Sequence, residues 1–180
     1  MKYPKIILIL LFVSIFSDTH SQEKLKFKMG SGIVNQYGNI GIGGESGFEY
    51  RIIKKFYLGI KLGYSNSSDA KVNITSDSYN HVSEYNSDFC VSYNTRIKQK
   101  IGINIFAGAG IHQFLLTQML YNSNAELTTF NEKKIGIGES VGLGMDYILK
   151  EKYTLGINYK HNFFNEGYDY FGVNFGIILY

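Results

Sequence analysis

The chain has one cysteine, one proline and no tryptophan in 180 residues. A lone Cys90 cannot close an internal disulfide, so the fold must be held by other means. Pro4 is the only proline, and nothing beyond the first few residues interrupts a hydrogen-bonded ladder on that account. No strong charge of either sign is present: the formal net charge is +3. No long basic run occurs either, which argues against a nucleic acid as partner. The longest apolar stretch, Ile6 to Phe16, is broken by Ser14 and falls well short of the ~20 residues a spanning helix needs.

That stretch sits behind Lys2 and Lys5 and ahead of "SDTHSQ", with Thr19 and Ser21 at the −3 and −1 positions of a cut before Gln22. Residues 1–21 therefore read as a secretory signal peptide, and the mature chain leaves the cytoplasm. No cysteine follows the cut, which argues against a lipoprotein anchor.

What the chain has in abundance is Gly, 20 residues, and aromatic residues, 16%. That composition suits strands better than helices. Apolar residues recur with a period of two in eight segments, roughly 25–34, 40–52, 56–65, 83–97, 101–113, 134–149, 153–163 and 168–180. In 153–163, Tyr153, Leu155, Ile157, Tyr159 and Phe163 share one face, and Thr154, Gly156, Asn158, Lys160 and Asn162 the other. The links near 52–56, 97–101 and 149–153 are tight, those at 35–39 and 165–167 short and polar, and those at 66–82 and 114–133 long. This is the pattern of an up-and-down antiparallel meander with both termini at the tight-turn end.

Alternation alone does not say which face is inside. A lipocalin-like soluble barrel hides its apolar face, whereas a membrane barrel turns it toward lipid. The polar face collects six basic residues (Lys26, Lys28, Arg51, Lys61, Arg96, Lys160) and six acidic ones (Glu45, Glu49, Glu84, Asp88, Asp146, Asp169). Such balance between distant segments predicts an interior charge network. The same face carries most of the strand glycines, among them Gly136, Gly138, Gly142 and Gly144, which would leave room for long side chains from the opposite wall. About ten residues at ~3.3 Å, tilted ~45°, span roughly 23 Å, close to the apolar band of membrane barrels. Tyr57, Tyr64, Tyr93, Tyr147, Tyr153, Phe163, Phe164 and Tyr168 lie toward segment ends, as an interfacial girdle would, although not all face lipid. Turning six basic residues toward lipid would cost about 12–24 kcal/mol at ~2–4 kcal/mol each, which rivals the ~5–15 kcal/mol stability of a typical fold. The reading is all-β: an eight-stranded antiparallel up-and-down transmembrane β-barrel over 22–180. Glu139 breaks the rule on the lipid face and is expected at the outer rim, or at a β-bulge.

With the signal ending "HSQ", eight alternating strands and the terminal "FGVNFGIILY", the chain resembles the outer-membrane β-barrel family, the small eight-stranded OmpA/OmpX-like barrels, in the compact form common in Bacteroidetes. The resemblance implies an outer-membrane location, contact with outer-membrane lipid, and insertion by the barrel-assembly machinery. In that family the last strand carries the assembly signal. Gly172, Phe175 and Ile177 follow its spacing loosely, though not to the chain end.

Chemistry is sparse. "GIGGESG" (41–47) and "GAGIHQF" (108–114) lack G-x-G-x-x-G spacing and lie in period-two segments. His81, His112 and His161 show no metal-ligand spacing, and no cofactor is implied. Three functional readings remain. The first is a structural or surface-interaction barrel acting on an extracellular ligand or protein through 66–82 and 114–133, with "FLLTQMLY" (114–121) as extended strand, short helix or binding patch. The second is a lipid-modifying enzyme around His161 and Glu139. The third is a narrow channel, opposed by an interior that charged and Asn side chains can fill. The lysine-bearing tight turns read as solvated gatekeepers. The fractionated protein should pellet with membranes and run on gels with heat-modifiable mobility; a mature chain soluble without detergent would instead restore the soluble barrel.

Overall fold

The structure, a computed structural model, describes residues 24–36, 38–72, 76–97, 100–122, 127–165 and 167–180. Residues 1–21, read from the sequence as a signal peptide, lie outside the described residues. Eight strands run in chain order: β1 Leu25–Gln36, β2 Asn39–Ile53, β3 Phe56–Val72, β4 Ser76–Ile97, β5 Ile101–Asn122, β6 Leu127–Leu149, β7 Tyr153–Asn162 and β8 Tyr168–Leu179. Each pairs antiparallel with its neighbours, and β1 closes on β8. Both described chain ends lie together at the tight-turn end, where Leu25 pairs with Leu179.

The register fixes the shape. The cross-strand partners of Leu25 are Tyr50, Leu58, Val91, Ala107, Val141, His161 and Asp169 in turn, and the circuit returns to β1 at Asn35, ten residues further on. Eight strands with that stagger require a tilt of about 41° and a backbone radius of about 8 Å. A cylinder this narrow has an interior that side chains fill.

The apolar period-two face points outward on every strand. Ile33, Phe89, Ile105, Leu143, Leu155 and Val173 are all more than two-fifths exposed. At a climb of about 2.5 Å per residue, Tyr50, Tyr93, Tyr147 and Tyr153 form a lower aromatic belt. Tyr64, Tyr85 and Phe163 form an upper one roughly 20 Å above it, the separation expected of two membrane interfaces. Cross-strand ring contacts set the belts: Phe56 with Tyr93 at 5.4 Å, Tyr64 with Tyr85 at 4.9 Å and Tyr153 with Phe175 at 6.0 Å. Tyr57 and Tyr168 do not belong to the girdle. Both are 3% exposed inside the barrel, because Phe56 and Leu58 flank Tyr57 on the outside and Tyr168 shares the inner parity of Tyr170.

The segments expected as loops at 66–82 and 114–133 are largely strand. β3 continues to Val72, β4 starts at Ser76, β5 continues to Asn122 and β6 starts at Leu127. Paired residues such as Ala70 with Tyr79 and Gln118 with Phe130 carry the ladder well above the barrel. These four strands form a sheet that projects beyond the upper belt. The extension follows from Thr, Val, Leu and Tyr in these segments, which sustain pairing, and from the missing prolines. Between Glu139 and its neighbours the register is continuous, so no bulge lies there. The ladder instead shifts between Arg51 and Ile53, and Ile52 and Ile53 both point outward.

We predict that Leu143→Arg, near mid-height on the lipid face, lowers stability by about 2–4 kcal/mol. Ile135→Arg, above the upper belt, should lower it by less than about 1 kcal/mol. Urea titration of the protein in phospholipid vesicles measures both.

Candidate functional site

The inner face carries three tiers of polar contacts. In the lower tier Lys28 pairs with Asp146, and Lys61 lies 3.8 Å from Glu49. Two cations rest on rings: Lys61 Nζ is 3.0 Å from the Phe106 centroid and Lys26 Nζ 4.5 Å from that of Tyr57. Arg51 and Arg96 are half-buried near the tight-turn end. In the middle tier Lys160, 1% exposed, pairs with Glu45, whose second oxygen accepts from Asn158 Nδ2 at 3.0 Å. Between these tiers lies a cavity of about 40 Å³ bordered by Lys28, Glu45, Glu49, Lys61, Asn104 and Asn158. It has room for about two or three waters.

The upper tier centres on His112, fully buried. Its Nδ1 is 3.1 Å from Glu84 Oε1 and its Nε2 2.8 Å from Asp88 Oδ1. An ionised carboxylate only accepts, so both nitrogens donate and the ring acts as the cation of this tier. The other Asp88 oxygen accepts from Asn86 Nδ2 at 2.8 Å and Ser140 Oγ at 3.0 Å. Gln36 Nε2 donates to Glu84 Oε2 at 3.5 Å, and Gln36 Oε1 accepts from Ser67 Oγ at 3.3 Å. Ser140, His112 and Asp88 are thus close, yet the serine bonds the carboxylate and both imidazole nitrogens are engaged. The cluster holds no free base to activate a nucleophile.

Glycines make these tiers possible at particular points. A Cβ on Gly138 would lie 2.8 Å from the His112 ring and 2.8 Å from Phe164 Cβ, and one on Gly142 would enter the Phe106 ring. Phe164 covers the imidazole at 5.4 Å between centroids, so it closes the upper mouth instead of joining the girdle. Cys90, 2% exposed, faces inward opposite Gly108.

Eleven of the twelve charged residues read as inward lie on the inner face. Asp169 does not. Its side chain is 44% exposed on the outer rim, with Phe171 on the same side and Tyr170 on the other. It accepts from Tyr159 Oη at 2.5 Å and meets His161 Nδ1 at 2.8 Å. The six-against-six balance becomes six basic residues and His112 against five carboxylates. His161 also has Asp169, not Glu139, as its carboxylate partner. Glu139 is exposed two residues above Val141, the strand neighbour of His161. Among the described residues no serine hydrogen-bonds to His161, and no group of three or more His, Cys, Asp or Glu could hold a metal ion. Alternation within 101–113 puts His112 on the inner face with Gly108 and Gly110 but does not by itself name its partners. The signal was present: Asn86 faces His112 once 83–97 and 101–113 are aligned from their tight turn, which sets Glu84 and Asp88 to either side.

An outward apolar wall between two aromatic belts, around a packed polar lumen, defines a transmembrane β-barrel of the outer-membrane type. No protein-family model matches the sequence, and no curated protein matches it. Solved structures do share the architecture. Ail, the attachment invasion locus protein of Yersinia pestis, superposes with a TM-score of 0.52 at 9% identity over 88% of this chain and 99% of its own. OprG from Pseudomonas aeruginosa gives 0.52 at 11% identity over 91% and 100%, and the N-terminal barrel of OprF from the same organism 0.51 at 13% over 87% and 98%. At these identities the likeness is one of fold.

His112→Gln should destabilise the barrel by about 3–5 kcal/mol, because it leaves Glu84 and Asp88 buried without their cation. Combining it with Asp88→Asn should show a coupling of about 1–3 kcal/mol in a double-mutant cycle followed by urea unfolding in vesicles.

Proposed function

We propose that this protein is a non-enzymatic outer-membrane barrel with a closed lumen that works as a surface-interaction protein. Its working part is the sheet of β3 to β6 above the membrane. One observation carries the reading: β6 pairs with β7 from Ser140 onward and Phe163 N still bonds Glu139 O at 2.9 Å, but above that point residues 127–138 form a strand edge with no paired strand on that side. A bare edge offers backbone donors and acceptors to an added strand. Leu127, Phe130, Ile135 and Ile137 are each more than half exposed along it and would supply side-chain selectivity. The occupant that fits is an extended segment of another protein, added as a further strand. Ail has been crystallised with the heparin analogue sucrose octasulfate; in the present chain the apolar edge favours a polypeptide. Insertion by the barrel-assembly machinery is part of the same reading.

The test is binding of the detergent-solubilised full chain to arrays of extended peptides with alternating apolar residues. The reading expects selective binding that falls at least tenfold when Leu127, Phe130, Ile135 and Ile137 become Ser, with heat-modifiable mobility retained. Binding that ignores these substitutions, or no binding at all, would refute it. In planar bilayers the wild type should show no stable large conductance.

A further inference from the structure

The tight-turn end carries a regularity in its lysines. A lysine immediately precedes each odd-numbered strand: Lys24, Lys55, Lys100 and Lys152, ahead of Leu25, Phe56, Ile101 and Tyr153. The carbonyl of each accepts a backbone hydrogen bond from the adjacent even strand, from Arg51 at 2.8 Å, Asn94 at 2.8 Å, Ile148 at 2.7 Å and Ile178 at 2.7 Å. Every hairpin is thereby fastened to the rim through a lysine, and the four backbones are held about 12 Å apart around a circle of about 8 Å radius.

Two further lysines sit in the turns themselves, with backbones that do not favour them. Lys54 has φ 35°, and Lys150 and Glu151 have φ 49° and 58° in the turn closed by Lys152 N to Leu149 O at 3.1 Å. Positive φ at both central residues is the geometry in which Asn-Gly serves best. Turn formation therefore does not explain a lysine there, and its charge does. Lys24, Lys54, Lys100, Lys150 and Lys152 are exposed, with Glu151 the exposed acidic residue among the described residues of these turns. The opposite end is mixed in sign, with Glu132, Lys133, Lys134, Glu139 and Asp169.

We propose that this lysine collar binds the headgroups of anionic phospholipids in the leaflet at the tight-turn, periplasmic end of the barrel. The ligand chemistry is a phosphate with net negative charge. A lipid source is favoured over a soluble anion by geometry: the lysines are spread around the rim and do not converge, so each meets a different phosphate of a surrounding annulus. The collar also lies at the lower aromatic belt. Lys152 Nζ is 5.9 Å from the Tyr153 centroid, and that ring stacks on Phe175 at the lipid face. An ammonium there is within a Debye length of the headgroup plane, where each lysine adds about fivefold to anionic-lipid affinity.

Native mass spectrometry of the purified full chain in detergent, titrated with phosphatidylglycerol or phosphatidylcholine, tests this. The expected result is retention of phosphatidylglycerol about tenfold above phosphatidylcholine at low salt, with the preference lost at high salt. Replacing Lys24, Lys54, Lys100, Lys150 and Lys152 by Gln should abolish the preference, and replacing them by Arg should keep it. Lys133→Gln with Lys134→Gln, at the other end, should leave it unchanged. Heat-modifiable mobility confirms folding; if the fivefold variant does not fold, Lys24→Gln with Lys100→Gln is read instead and should lose part of the preference. Equal retention of the two lipids, or an unaltered preference in the Gln variants, would overturn the proposal. Displacement by millimolar glycerol phosphate would also overturn it, by assigning the collar to a soluble anion. None of these outcomes depends on peptide binding at the opposite end.

Discussion

Closure of β1 on β8 with a ten-residue stagger is the constraint from which the other features follow. It sets the tilt and so the radius, and the radius sets how far a side chain must reach to touch the opposite wall. Lys28 of β1 reaches Asp146 of β6, and Lys160 of β7 reaches Glu45 of β2, because the lumen is only about one long side chain across. In a wider barrel the same residues would face water. The narrow lumen also requires each buried ion to have a partner, a carboxylate or an aromatic ring, since an ion left alone there would lose hydration with nothing in return. Burial of charge is thus a result of closure more than its cause. The driving force lies on the outer wall, where an apolar surface meets lipid.

The period-two face, the strand count, the topology and the inward direction of most charges could be read from the chain, because parity in a strand is a local property. Partners across the lumen could not. They depend on the stagger, which no single segment encodes. Asp169 shows the difference. Its chemistry groups it with the inner charges, although its parity relative to Tyr170 and Gly172 sets it outside, and in the structure it holds Tyr159 and His161 at the rim. His112 shows the converse, a residue whose face follows from parity but whose significance rests on Glu84 and Asp88, each two residues from the Asn86 that faces it. The polar segment 66–82 reads as a loop, whereas the apolar 114–121 admits strand extension, and in the structure neighbouring ladders carry pairing into both.

The two ends of the molecule are built on opposite principles. At the lower rim every odd strand begins after a lysine whose carbonyl is bonded to the neighbouring even strand, and the links between strands are two or three residues long. At the upper rim the strands differ greatly in length, from 10 residues in β7 to 23 in β6. Ordered pairing continues on one side of the mouth only, and the short β7–β8 connection folds Phe164 over His112 on the other. One rim suits a fixed seat in the bilayer, the other an asymmetric outward surface.

Cys90 gives this architecture a clock. An exported chain carries its thiol through an oxidising compartment, where an exposed thiolate is open to mixed disulfides and to dimerisation. Once the cylinder shuts, that sulfur lies against Gly108 and Asp88 beyond the reach of a second chain. Oxidative cross-linking of this protein therefore has a window that begins at export and ends when the barrel closes over Cys90.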